Sequence, residues 1–181
     1  MTHYTLHQNL TGHYLIDLKD KEAMHLYYGV KERFDYRLDN RDDFIKDIAN
    51  SLKPVIHQYD WIAIPESSSD FLSSVMKELG CPYHVVKKNN ISNVLQFVET
   101  LPLQRKEKIA HIERLNSMGK VFKINLMKSN QRRKYDSVIF EHNTNLQGKG
   151  LVIDDSLFSG TTLEGLKHAL PSFDFIAIFA K

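Results

Sequence analysis

Between Asp60 and Val86 the sequence alternates an apolar run, a polar loop, an amphipathic stretch and a second apolar run, and this order constrains the fold more than any other feature. Asp60-Trp61-Ile62-Ala63-Ile64-Pro65 is short and almost continuously apolar, as a strand buried on both faces requires. Glu66-Ser67-Ser68-Ser69-Asp70 follows as a loop of small polar residues, with Ser69 or Asp70 placed to cap a helix. Phe71, Leu72, Val75, Met76 and Leu79 then recur at helical spacing, and Gly80 is a stop signal. Tyr83 to Val86 reads as the next strand. Strand, helix and strand in this order make a βαβ unit, which calls for parallel pairing. The expected fold is therefore α/β, with a doubly wound, mainly parallel sheet.

Elsewhere the pattern is uneven. Asp43 to Ile56 reads as a helix through Phe44, Ile48, Leu52 and Val55/Ile56. Gln104 to Ser117 reads as another, with Ile109, Ile112 and Leu115 on one face. Phe122, Ile124 and Leu126 alternate with Lys123 and Asn125, which predicts a half-exposed strand. Leu151-Val152-Ile153 is a strand, about Thr162 to Leu170 a helix, and Phe173 to Ala180 a closing apolar strand. With no linker in view, residues 1–181 are expected to form one domain. Its core would lie at about 41–181, with a small hood at about 1–40 carrying Tyr14, Tyr27, Tyr28, Phe34 and Tyr36.

The chemistry concentrates in Leu151-Val152-Ile153-Asp154-Asp155-Ser156-Leu157-Phe158-Ser159-Gly160-Thr161-Thr162-Leu163. A buried strand runs into two adjacent acids, then a small hydroxyl-and-glycine loop, then a helix. The helix start offers free N–H groups and partial positive charge. Ser159, Gly160, Thr161 and Thr162 let backbone approach an anion and add hydroxyl donors, which makes a phosphate cradle. Asp154 and Asp155 can accept hydrogen bonds from adjacent sugar hydroxyls, or hold Mg²⁺ through water. Thr161 and Glu164 also fit a capping box, which is compatible with the same loop binding phosphate.

This stretch resembles the phosphoribosyl-pyrophosphate signature of type I phosphoribosyltransferases: a hydrophobic strand, two acids, then Thr/Ser-Gly-x-Thr. The resemblance implies that Asp154 and Asp155 meet the ribose hydroxyls and that Phe158, Ser159, Gly160, Thr161 and Thr162 wrap the 5′-phosphate. Glu66, Ser67, Ser68 and Ser69 stand where the family places its pyrophosphate loop. Ile112-Glu113-Arg114-Leu115-Asn116, Phe122-Lys123-Ile124 and Phe179-Ala180-Lys181 are similar to stretches of the ComF-like branch, although its cysteine-rich zinc element is absent. Two departures carry chemistry. Phe158 stands where members acting on 6-oxopurines carry an acid that moves the N7 proton, which disfavours hypoxanthine and guanine. The pyrophosphate loop carries three serines where glycine is usual.

The resemblance implies Mg²⁺-dependent transfer of ribose 5-phosphate to or from a nitrogenous base. Lys87 and Arg114, drawn from a basic middle that also holds Lys88, are the candidates for charge on the departing pyrophosphate. Two other readings stand beside it: a non-catalytic regulator that binds the sugar pyrophosphate or a nucleotide, and an enzyme that cleaves a ribosyl bond. The expected partners are a phosphorylated sugar and a base, with a homodimer compatible. A net charge of +2 is too weak, alone, to argue for nucleic acid, which is not among the expected partners. The lone Cys81 excludes an internal disulfide and a cysteine-based zinc module, and it reads as buried rather than nucleophilic. His25, His57, His84, His111 and His168 read as surface or packing residues. No apolar run reaches the length of a membrane span, and Met1-Thr2-His3-Tyr4 lacks the order of a secretory signal, so a cytoplasmic protein is expected.

Overall fold

The computed structural model describes residues 7–9, 12–19, 21–31, 36–143 and 145–181. It is an α/β fold built on a five-stranded parallel sheet flanked by helices. In chain order the elements are β1 (His7–Asn9), β2 (Gly12–Asp17), α1 (Lys21–Val30), α2 (Arg41–Ile56), β3 (Trp61–Pro65), α3 (Phe71–Leu79) and β4 (His84–Val86). Then come α4 (Ile91–Thr100), α5 (Arg105–Asn116), 3-10 segments at Ile124–Leu126 and Ser129–Val138, β5 (Gly150–Leu157), α6 (Thr161–Ala169) and β6 (Phe173–Ala180). The strand order is β1-β2-β6-β5-β3-β4, with β1 antiparallel on the β2 edge.

The chain divides into two compact units. The first spans Met1–Val85, Asn145–Gly160 and Pro171–Lys181. Its core forms where Ile62, Ile64, Leu151, Ile153, Ile176 and Ile178, at alternate strand positions, meet the apolar faces of α1, α2 and α3. The α2 stripe is Phe44, Ile45, Ile48, Ala49, Leu52 and Ile56, with Asp42 and Asp43 in the first turn, where negative charge suits the helix dipole. α3 ends as its sequence requires: Gly80 has φ +67°, and its N–H reaches the Met76 and Lys77 carbonyls.

The described part of residues 1–40 differs from a hood. β2 lies inside the sheet, parallel to β6, and Leu15, Ile16, Leu18, Ala23, Tyr27 and Val30 join the main buried cluster. An apolar strand and an apolar helix stripe were available there, and burial in the shared core offsets more ordering cost than a separate lobe could. Phe34 lies outside the described residues.

The second unit spans Val86–Thr144 and Thr161–Leu170. Tyr135 is fully buried there, against Phe122 (ring centroids 5.3 Å apart) and Phe97 (6.3 Å). α4 has no counterpart in the expectations above. Asn90 caps it by accepting from the Asn93 N–H (2.9 Å), and Ile91, Val94 and Val98 form its buried stripe. The strand expected over Phe122–Leu126 does not form. Phe122 and Met127 are buried while Leu126 is 47% exposed, so burial does not alternate, and Ile124–Leu126 closes a 3-10 turn. The Arg114 guanidinium donates to the Leu126 carbonyl (3.0 Å), satisfying a group that a sheet partner would otherwise take. Among the described residues no helix is long and apolar enough to cross a membrane.

Candidate functional site

β3 and β5 are parallel neighbours, with Ile62 beside Leu151 and Ala63 beside Val152. From β3 the chain proceeds to β4 on one side; from β5 it proceeds to β6 on the other. The carboxyl ends of β3 and β5 therefore flank the point where the connections diverge, which is where open parallel sheets leave a ligand crevice. The loop Glu66–Ser69 leaves β3 at this end and the loop Phe158–Gly160 leaves β5.

β5 does not stop at the two acids. It runs on to Leu157, with Asp154 beside Ala177 and Ser156 beside Phe179. Side chains alternate along a strand, so the two carboxylates leave the backbone on opposite sides. Both are also buried, at 5% exposed for Asp154 and 8% for Asp155. Asp154 accepts from the Asp155 backbone N–H (2.7 Å). Asp155 accepts from the Ser156 hydroxyl (2.7 Å) and from the ammonium of Lys31, just past the end of α1.

Lys31 is the site residue that sequence reasoning missed. Its Nζ bonds Asp155 Oδ2 and lies 3.5 Å from Ser67 Oγ, so one cation touches a β5 acid and the β3 loop together. The only sequence signal was a lysine closing an apolar helix, which is ordinary at a helix C-terminus.

Within the serine loop, the Ser67 hydroxyl accepts from the Ser69 N–H and the Ser69 hydroxyl from the Phe71 N–H, both at 3.3 Å. Ser69 thus closes a turn just ahead of α3; Asp70 holds the cap position without a side-chain cap bond and pairs instead with Arg41 of α2. Ser68 is exposed and Glu66 half-buried. In the β5 loop Phe158 is 46% exposed and meets the buried Tyr27 edge-on (5.3 Å). Gly160 has φ +71° with open space around a would-be Cβ. Thr161 and Thr162 open α6 half-buried, and Glu164 pairs with Lys167 (2.8 Å). Lys87 and Arg114 belong to the second unit, Lys87 exposed before α4 and Arg114 on α5. Inside the first unit, then, Asp155, Ser67 and the unforeseen Lys31 come together, and Asp154 leaves the strand on the other side.

Cys81 is half-buried, and burial raises its thiol pKa, which removes thiolate character. His111 is a packing residue, 1% exposed. Gln131 donates its amide to His111 Nε2 (3.0 Å), and the other ring nitrogen pairs with the Tyr135 hydroxyl. Burial lowers the His111 pKa from its usual 6.5, against a smaller opposing pull from Glu107. The folded state therefore prefers the neutral ring. That contribution is complete above pH 6.5 and declines as pH falls below it, towards the lower folded value. The second unit is expected to lose thermal stability as pH falls below about 6.5, and His111→Gln to flatten that slope. Equal slopes in the two proteins would show that His111 does not contribute.

No family model, curated protein or solved structure matches the chain.

Proposed function

We propose that the protein is a phosphoribosyltransferase of the type I fold, acting on 5-phosphoribosyl 1-pyrophosphate and a nitrogenous base. One observation carries the reading: the loop expected to take pyrophosphate and the loop expected to take the 5′-phosphate leave adjacent parallel strands at the divergence point. Asp155 would accept from a ribose hydroxyl, and the N–H groups and hydroxyls of Phe158–Thr162 would receive the 5′-phosphate. In the reaction the C1–O bond breaks and its electron pair leaves with pyrophosphate. The acceptor nitrogen forms the C1–N bond and releases its proton to water. The protein's contribution is alignment and stabilisation of the departing anion.

Magnesium fits this site poorly as a resident ion. Asp155 already serves Lys31 and Ser156, the two acids diverge, and no group of three His, Cys, Asp or Glu among the described residues could hold a metal. A magnesium carried in by the sugar pyrophosphate suits the donor set better.

A second reading, a regulator that binds without turnover, is favoured by the serine loop. The Ser69 and Phe71 N–H groups are turned onto the Ser67 and Ser69 hydroxyl oxygens, so these two backbone donors are not offered to an anion. Incubation with the sugar pyrophosphate, magnesium and a panel of bases decides between them: pyrophosphate release supports the transferase, saturable binding without release the regulator. Absence of both removes the site.

Replacement of Ser67, Ser68 and Ser69 by Ala should weaken pyrophosphate and sugar-pyrophosphate binding while sparing a nucleoside monophosphate. In the β5 loop, Gly160→Val is expected to cost more 5′-phosphate affinity than Thr162→Val. Thr162→Val removes one hydroxyl, about 0.5–1.5 kcal/mol. Gly160 is uncrowded, so valine acts by expelling the backbone from φ +71°, which reorients several N–H donors together. Normal ribose 5-phosphate binding by Gly160→Val would place the cradle elsewhere.

A further inference from the structure

The Lys31–Asp155 pair is unlike the other ion pairs among the described residues. Its side chains are 6% and 11% exposed, whereas every other pair has a partner more than 40% exposed. Burying two opposite charges costs several kcal/mol per ion before their attraction is counted, so such a pair is a poor device for stability alone. Its place matters more. A carboxylate in a crevice repels a polyanionic ligand, and Lys31 cancels that charge where a sugar pyrophosphate would arrive. Its second neighbour, Ser67 Oγ at 3.5 Å, sets the ammonium at the β3 loop.

We infer that Lys31 is the cation that receives the pyrophosphate group, giving up part of its hold on Asp155 as the ligand binds. The inference rests on the proposed phosphoribosyl site and moves the anion-holding role from Lys87 and Arg114 to a residue of the first unit. Binding would release the Asp155 carboxylate to accept from the ribose hydroxyl, so a single exchange of partners would prepare both ends of the ligand. An apolar residue at position 31 could do neither.

Calorimetry with inorganic pyrophosphate and with ribose 5-phosphate separates this role from a structural one. Lys31→Met is expected to weaken pyrophosphate binding about tenfold or more, as loss of a charge-assisted contact predicts, and to leave ribose 5-phosphate within about threefold. Lys31→Arg should retain most of the pyrophosphate affinity. Because Lys31→Met strands a buried carboxylate, Asp155→Asn and Lys31→Met/Asp155→Asn provide a second comparison. Asp155→Asn should bind pyrophosphate more tightly than the native chain, its lysine being free. The double variant should fall about tenfold or more below Asp155→Asn. Equal losses for both ligands, or no loss for pyrophosphate in either comparison, would overturn the inference. Native binding of ribose 5-phosphate without pyrophosphate would overturn it and leave the β5 loop assignment standing. Binding of neither ligand would overturn both.

Discussion

Asp154→Asn/Asp155→Asn is expected to bind ribose 5-phosphate about tenfold or more weakly than the native chain, since charge-assisted hydrogen bonds contribute about 1.5–3 kcal/mol each. Asparagine keeps the volume and removes the charge. The two positions should contribute unequally. Asp155 lies with Lys31 and Ser67, whereas Asp154 leaves β5 on the opposite side and accepts from the Asp155 N–H. Asp155→Asn alone should therefore carry most of the loss. Burial adds a second effect: removing one member of a buried ion pair costs about 3–5 kcal/mol. Thermal unfolding beside the calorimetry separates lost binding from lost structure. Unchanged affinity in a folded double variant would remove both acids from the site.

Gly150→Val is expected to lower stability by about 3 kcal/mol, at the upper end of overpacking costs. A Cβ at position 150 would stand 1.9 Å from Trp61 Cζ2, and Trp61 is only 6% exposed. β3 and β5 pair at this residue, so the indole cannot retreat without disturbing the Trp61–Gly150 register. Gly119→Ala is the useful contrast. That position has φ +84° and open surroundings, so its cost is the left-handed strain alone, about 1–2 kcal/mol. Urea midpoints that place Gly150→Val no lower than Gly119→Ala would refute the steric account.

The elements legible in the sequence were those whose burial is periodic and whose ends are chemically marked. α3 shows both, with its five apolar residues and Gly80, and β3 and β5 were readable as continuous apolar runs. Ile124 and Leu126 show how alternation misleads: in a charged segment it fits a strand, yet Arg114, on another element, takes the Leu126 carbonyl and the turn closes instead. β2 was hidden because a six-residue strand with polar ends declares itself only by pairing with β6. In the candidate site, the loops and acids stood out because their residue types are local in sequence. Lys31 did not, because its meaning comes from contacts with Ser67 and Asp155, far along the chain. The divergence of Asp154 from Asp155 was hidden for a related reason: it depends on β5 continuing to Leu157, which the pairing with β6 decides.

The position of β6 between β2 and β5 has a consequence for assembly. Gly12–Asp17 can complete its parallel ladder only with Phe173–Ala180, the last element in chain order. Until then β2 and β5 each present an open hydrogen-bonding edge. Such long-range closure is slow, because its loop entropy is lost before the contacts form. The exposed edges meanwhile invite pairing with other chains. Refolding should therefore show a slow, concentration-sensitive phase, and it should disappear from a variant in which β6 is joined covalently ahead of β2.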